Sequence, residues 1–359
     1  MSRNYTRTIV KIIFCTVVVF VFAIYTHVSQ TDPIPGQIKV GATYMTMNSE
    51  FYRHLHNEIQ RYSDSEGQIL YTRDAEMSEE KQSKQIDEFI AKRVNVIVIN
   101  PVKSDSKQIV EALSRAKNFG IRVIAVDSQL NNIKVDTSIV SDNYHAGILI
   151  AKDLMKRTSN AHILLLTHKD ALSANQRITG FLDTIKSEEH YQIISERETV
   201  GQTEHAMTTV GDALSEGLQF DAIVALNDRA AIGALAAIKE LKVTSKKLIY
   251  GIDGSPDMKH LLATTDEVTG TVAQFPSHMG RKVSETIDLL VKKEEVEELY
   301  NKLKTLYLCV SYDTDLLAVE NICGFSEKWY HFIEDKKYLK IEFRTKPGNI
   351  DKFLNLKPL

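Results

Sequence analysis

The stretch VNVIVINPVKSDSKQIVEALSRAKNFGIRVIAVDSQ, residues 94–129, decides the architecture of this chain. Val94 to Ile99 is a short apolar run rich in β-branched residues, which reads as a strand. Ile109, Leu113, Ala116 and Phe119 then recur at helical spacing, and Val123 to Val126 is a second apolar run. Apolar runs of this kind on either side of a helix mean parallel strands covered by helices on both faces. A sheet with one wet face would instead alternate apolar and polar residues.

The same rhythm extends in both directions. Upstream lie a strand from Ile38 to Tyr44, a helix carrying Leu55, Ile59 and Tyr62, a strand from Ile69 to Thr72, and a helix with Ile86, Phe89 and Ile90 on one face. It restarts after Ser141 with a helix around Ala146 to Met155, a strand Ile163 to Leu166, and a helix Arg177 to Ile185. Then come a strand Ala222 to Leu226, a helix Ala231 to Leu241 and a strand Leu248 to Ile252. At 359 residues the chain suits two compact units. The predicted fold class is α/β, with two doubly wound parallel-sheet lobes.

Composition narrows the function. Apolar residues are 43% and charged residues 25%, close to globular averages, so disorder is not expected. A formal net charge of -3, with basic and acidic residues mixed, offers no field for phosphate backbones, and no nucleic acid partner is expected. Cys15, Cys309 and Cys323 have no CxxC spacing and no histidine cluster beside them, which argues against a zinc site. Cys309 and Cys323 fit either one disulfide or two thiols. His54 and His56, two apart on a helix, do not share a face, and the other histidines are scattered, so all read as solvated surface. No GxxxxGK[ST] loop, GxSxG elbow, HExxH pair or GxGxxG after the first strand is present, so neither catalysis nor a cofactor is expected.

Arg3, Arg7 and Lys11 precede an uncharged run from Ile12 to Thr26. No small-residue cleavage pattern follows it, and Phe14 rather than a small residue precedes Cys15, so an uncleaved anchor fits better than a lipidated or cleaved segment, with signal-peptide cleavage as the alternative. The reading is an uncleaved single-pass membrane anchor with the N-terminus in the cytoplasm. Asp32, Pro33, Pro35 and Gly36 mark a short linker, and the folded part follows outside the cell or in the periplasm.

In open α/β sheets ligands bind beyond the carboxyl ends of the strands. Those ends carry Asp127, Asn227 with Asp228, and Asp253 with Gly254, while Val272 leads to Gln274. Asp accepts hydrogen bonds, and Asn or Gln both donates and accepts, which matches a polyol whose hydroxyls do both. Asp and Asn after a strand also commonly cap the next helix, so each residue has a structural reading beside the functional one.

Seven segments in order carry a specific resemblance. They are NSEFY at 48–52, VINPVKSD at 98–105, IAVDSQ at 124–129, SDNYHAG at 141–147, ALNDRAAIGAL at 225–235, YGIDGSPD at 250–257 and TVAQFPSHMG at 271–280. Residues 37 to about 322 resemble the ribose-binding type of periplasmic sugar-binding proteins, whose type I periplasmic binding fold also forms the effector domain of lactose-repressor-type regulators. The resemblance implies two Rossmann-like lobes joined by a three-strand hinge near residues 141, 273 and 307. Lobe 1 would comprise 37–141 and 274–307, and lobe 2 would comprise 142–273 and 308–323. Residues 1–36 would be stub, anchor and linker, and 324–359 a C-terminal extension.

By the same resemblance Phe51 and Tyr52 would stack on a sugar ring, and Asp127, Asn227, Asp253 and Gln274 would hold its hydroxyls. Ser49 stands where many relatives have Asn and joins the set. Ser128 and Asn175 occupy positions where the family's ribose binders grip the ring with arginines, so ribose in the usual pose is not expected. Asn175 stays among the candidates. Gly201 stands where an aromatic is expected, leaving room for a larger guest, and Arg177 matches an arginine that is mainly structural.

The implied ligand is a small sugar-like molecule, a pentose, hexose or polyol, bound by lobe closure. An apolar anchor in place of a basic helix-turn-helix argues against cytoplasmic gene control. The implied partner is a sensor histidine kinase, favoured by lateral confinement at the membrane, with the permease of an ABC sugar importer as the alternative. The Glu- and Lys-rich segment from Asp288 to Lys304 reads as a solvated helix. The tail with Trp329, Tyr330, Phe332, Tyr338 and Phe343 reads as packing on the second lobe or as a docking surface.

Overall fold

The computed structural model describes residues 37–291, 300–303, 307–311 and 329–331. The chain begins with β1 (Lys39–Tyr44), α1 (Glu50–Ser65), β2 (Ile69–Asp74), α2 (Glu79–Ala91), β3 (Val96–Ile99), α3 (Lys107–Asn118), β4 (Arg122–Val126) and β5 (Thr137–Ser141). It continues with α4 (Asn143–Arg157), β6 (Ala161–Thr167), α5 (Leu172–Ile185), β7 (Tyr191–Glu198), α6 (Thr203–Ser215) and β8 (Ala222–Ala225). Next come α7 (Asp228–Glu240), β9 (Leu248–Asp253), α8 (Pro256–Thr264), β10 (Val268–Ala273) and α9 (Pro276–Val291). Three further strands are β11 (Tyr300–Leu303), β12 (Tyr307–Ser311) and β13 (Trp329–His331).

Two sheets result, one of six strands in the order β11-β5-β4-β3-β1-β2 and one of seven in the order β13-β12-β10-β9-β8-β6-β7. The first is parallel throughout. Its central strands are apolar on both sides because each face is covered. Val98 and Ile124 pack with Leu55, Ile59 and Met279, whereas Ile97 and Val123 pack with Ile86, Phe89 and Leu113. The second sheet is sandwiched in the same way, with Leu164 and Ile223 towards Val210 and Ala234, and Ile163 and Val224 towards Ile150 and Phe181. Helix starts are set by side-chain caps: Ser78, Ser106, Asp142, Asn227 and Ser255 each accept a hydrogen bond from a backbone N–H in the first turn.

The chain crosses between the sheets after β5, after β10 and between β11 and β12. After the second crossing, α9 returns to pack on α1. Asp288 accepts hydrogen bonds from Tyr62 Oη at 2.6 Å and Gln68 Nε2 at 2.9 Å. Gly280 permits this approach, since a Cβ there would stand 2.4 Å from the Leu55 carbonyl oxygen.

Three expectations need correction. The second sheet is not wholly parallel: β12 runs antiparallel to β10, and β13 antiparallel to β12. The parallel strands run towards the cleft edge of their sheets, so a strand that enters from that edge runs the other way. The helix expected at Asp288 to Lys304 ends by Val291 where described, and Tyr300–Leu303 is a strand paired with β5. There a sheet edge supplies backbone partners that override helix propensity. The helix expected from Arg177 starts at Leu172, and its first two amides donate to Ser104 Oγ and Ser128 Oγ of the first lobe.

The segment Ile12 to Thr26, Cys323 and most of the C-terminal tail lie outside the described residues, and Trp329–His331 forms an edge strand of the second sheet. Among the described residues, no helix is long and apolar enough to cross a membrane.

Candidate functional site: the cleft between the sheets

One cavity opens onto the carboxyl ends of strands from both sheets. It is lined from the first lobe by Ser49, Phe51, Tyr52 and Asp127, and from the second by His168, Arg177, Asn227, Arg229 and Asp253. Two lobes thus contribute polar groups to one space.

On the first wall, Asp127 follows β4 with a left-handed φ of 64° that turns its carboxylate off the strand direction. The group is buried, and its Oδ2 accepts from Tyr52 Oη at 3.0 Å and Asn100 Nδ2 at 3.4 Å. Burial pushes its carboxyl above the usual range, while Arg177 across the cleft and these hydrogen bonds pull it back. Burial next to Asp127 likewise pushes the Tyr52 phenol up, so it remains a donor. Phe51 meets Tyr52 edge-on with centroids 5.4 Å apart, offering a fixed aromatic corner. Ser49 sits at the N-cap position of α1 without making a side-chain cap bond, so its hydroxyl is not spent on the helix.

On the second wall, Asp253 ends β9 at a φ of 148°. Its Oδ1 accepts from Gln274 Nε2 at 2.7 Å and lies 3.8 Å from Arg177 Nη1. Burial pushes its carboxyl up to about 8, with Arg177 opposing. Arg177 is itself held by Asn143 Oδ1 at 2.8 Å and the Leu226 carbonyl at 2.9 Å. Asn227 caps α7 through Ala230 N at 2.9 Å and donates to the Gly201 carbonyl at 3.1 Å, so the structural reading of this residue holds while it also lines the cavity. Asp228 is fully buried and receives hydrogen bonds from Thr271 Oγ1 and Ser255 N, which ties α7 to β10 and α8.

Two candidates stand off the cavity. Gln274 lies behind Asp253 and orients it, and Asn175 donates to the Lys169 carbonyl at 2.7 Å. Gly201 lines the cavity with φ +65°, a conformation an aromatic would adopt only under strain, so its departure from the family pattern is a backbone requirement here.

Sequence reasoning missed His168 and Arg229 and undervalued Arg177. His168 is 5% exposed, lines the cavity, and is held below the usual histidine range by burial. The signal was available: His168 follows β6, so the strand-end rule that selected Asp127 and Asp253 selects it too.

The lobes also touch directly beside the cavity. Ser104 N donates to the Asp170 carbonyl at 2.9 Å, Leu172 N to Ser104 Oγ at 2.9 Å, and Ser173 N to Ser128 Oγ at 3.3 Å. Ser128, at a position of a ligand-gripping arginine in the resembled ribose binders, is therefore spent on the α5 N-terminus of the opposite lobe.

Two facing α/β lobes with a polar, aromatic-cornered cavity between them have the form of a solute-binding protein. The chain belongs to the periplasmic binding protein domain family, whose pattern matches residues 40–295. It is 27% identical over 267 residues to the ribose import binding protein of Bacillus subtilis, covering 73% of this chain and 84% of that protein. It is 25% identical over 292 residues to the D-xylose-binding periplasmic protein of Haemophilus influenzae, covering 79% and 86%. Among solved structures, an ABC transporter solute binding protein from Mycobacterium smegmatis with bound glycerol matches at TM-score 0.69 and 25% identity, over 73% of this chain and 91% of that one. The arabinose-binding component from Shewanella, bound to L-arabinofuranose, matches at TM-score 0.66 and 27% identity over 72% and 87%.

Proposed function

We propose that the chain binds a pentose, hexose or polyol outside the cytoplasm by closing its lobes, and does so as a membrane-anchored receptor that signals to a partner such as a sensor histidine kinase. The observation that carries the binding step is that Asp127 and Asp253, from different sheets, open on the same cavity. Ser49, Phe51, Tyr52, Asp127, Asn227 and Asp253 contact the guest, and Gln274 holds Asp253 in place. The proposed lobes are 37–141 with 274–307 and 142–273 with 308–323, except that Tyr307 already belongs to β12 of the second sheet. Carboxylates bonded to hydroxyls form charge-assisted hydrogen bonds, which strengthen as closure excludes water. The ligand favours closure to the extent that it binds the closed form better than the open one.

The uncharged run from Ile12 to Thr26, without a cleavage or lipidation pattern, supports anchoring and hence sensing. A second reading, the binding component of an ABC sugar importer, is favoured by relatives that are named as import binding proteins.

The test is a thermal-shift screen of the full chain against pentoses, hexoses and polyols, followed by small-angle scattering with each hit. A tight ligand raises apparent stability, and closure lowers the radius of gyration. If no compound moves either quantity, the binding proposal is wrong. Sugar-dependent phosphorylation in a co-reconstituted kinase supports sensing, whereas sugar-stimulated ATP hydrolysis by a co-reconstituted importer supports import.

A further inference from the structure

Arg229 sits in the first turn of α7, lines the cavity, and is half-buried. Among the described residues no carboxylate forms an ion pair with it; Glu204 and Asp253 are its nearest acidic influences. Arg177, the other guanidinium of the cavity, by contrast donates to Asn143 and the Leu226 carbonyl and lies 3.8 Å from Asp253. A desolvated guanidinium without a carboxylate partner is costly, and its planar fork of donors matches a carboxylate or phosphate better than a lone hydroxyl.

We propose that the guest carries an acidic group, a carboxylate or a phosphate on a sugar or polyol, seated on the Arg229 guanidinium where it lines the cavity. The hydroxyls of the same guest occupy the Asp127 and Asp253 side of the cavity.

This inference rests on the polyol-binding reading and specifies its ligand class. The test measures dissociation constants on the full chain for matched pairs: D-ribose with D-ribonate and D-ribose 5-phosphate, D-xylose with D-xylonate, and D-glucose with D-glucuronate and D-glucose 6-phosphate. For at least one pair the acid binds ten-fold or more tightly than its neutral parent, and that ratio shrinks with added salt. The carboxylate and phosphate arms separate the two sources of the anion. Arg229→Gln brings the acid-to-neutral ratio to within about three-fold, and Arg229→Lys retains part of it. Neutral sugars binding as tightly as every acid overturns the inference while leaving polyol binding intact. Neutral sugars and acids losing affinity equally in Arg229→Gln overturns it as well. Binding by none of the compounds removes both readings.

Discussion

The double variant Ser104→Ala with Ser128→Ala isolates the direct contact between the lobes. Ser104 Oγ accepts from Leu172 N at 2.9 Å, and Ser128 Oγ accepts from Ser173 N at 3.3 Å. Both hydroxyls belong to the first lobe and both amides to α5 of the second, so these bonds exist only while the lobes are together. A neutral hydrogen bond contributes about 0.5–1.5 kcal/mol net. The pair therefore stabilises closure by about 1–3 kcal/mol, a factor of roughly 5 to 150 in the closed-to-open ratio. Neither substitution creates a cavity larger than one oxygen, and the freed amides reach water once the lobes part. Distances between spin labels on α3 and α6, measured by double electron-electron resonance, report the ratio directly. The apparent dissociation constant of any ligand specific to the closed form rises as the closed fraction falls. A distance distribution that matches wild type would show that the serine contacts carry no closure energy.

Three further outcomes follow from the site and the packing around it. The Asp253 carboxyl is held at about 8, above its unfolded range, so protonation favours the fold; that contribution is complete below about pH 4 and is lost as pH rises through 8. Ligand hydroxyls that donate to Asp253 favour its ionised form, so affinity measured by calorimetry climbs by up to ten-fold per pH unit between 6 and 8, then levels; a flat profile contradicts this. Tyr52→Phe removes the donor to the Asp127 carboxylate and weakens ligand binding by about 1.5–3 kcal/mol while keeping the aromatic surface, which titration of wild type and variant side by side would check. Gly147→Ala places a Cβ 2.0 Å from the Arg177 carbonyl oxygen, and Gly180→Ala places one 1.9 Å from that of Tyr144. Backbone atoms there cannot step aside, so each variant loses at least about 1–3 kcal/mol and melts several degrees lower in calorimetry; an unchanged melting point would show that α4 and α5 can part freely.

Much of this was legible in the residues because the relevant signals are local. Apolar runs such as Ile97 to Ile99 exposed the parallel sheets, and Asp127 and Asp253 stood out as carboxylates placed where a buried strand ends. Other features depend on contacts between distant segments. Tyr300–Leu303 is a strand only because β5 offers it an edge, and β12 is antiparallel because of the direction from which it enters. The role of Gln274 as a brace for Asp253 arises from an interaction across 21 residues. His168 shows a different failing: the strand-end rule covered it, but a histidine far from any other looked like surface until burial was known.

Arg177 also links the guest chamber to the joint of the molecule. Asn143 is the second residue beyond β5, where the backbone first passes from one half to the other, and Arg177 clasps it while standing 3.8 Å from Asp253. One guanidinium therefore spans fulcrum and cargo. On the proposed binding mode, a guest that displaces or recharges Asp253 acts on the fulcrum through this one side chain, with no helix in between.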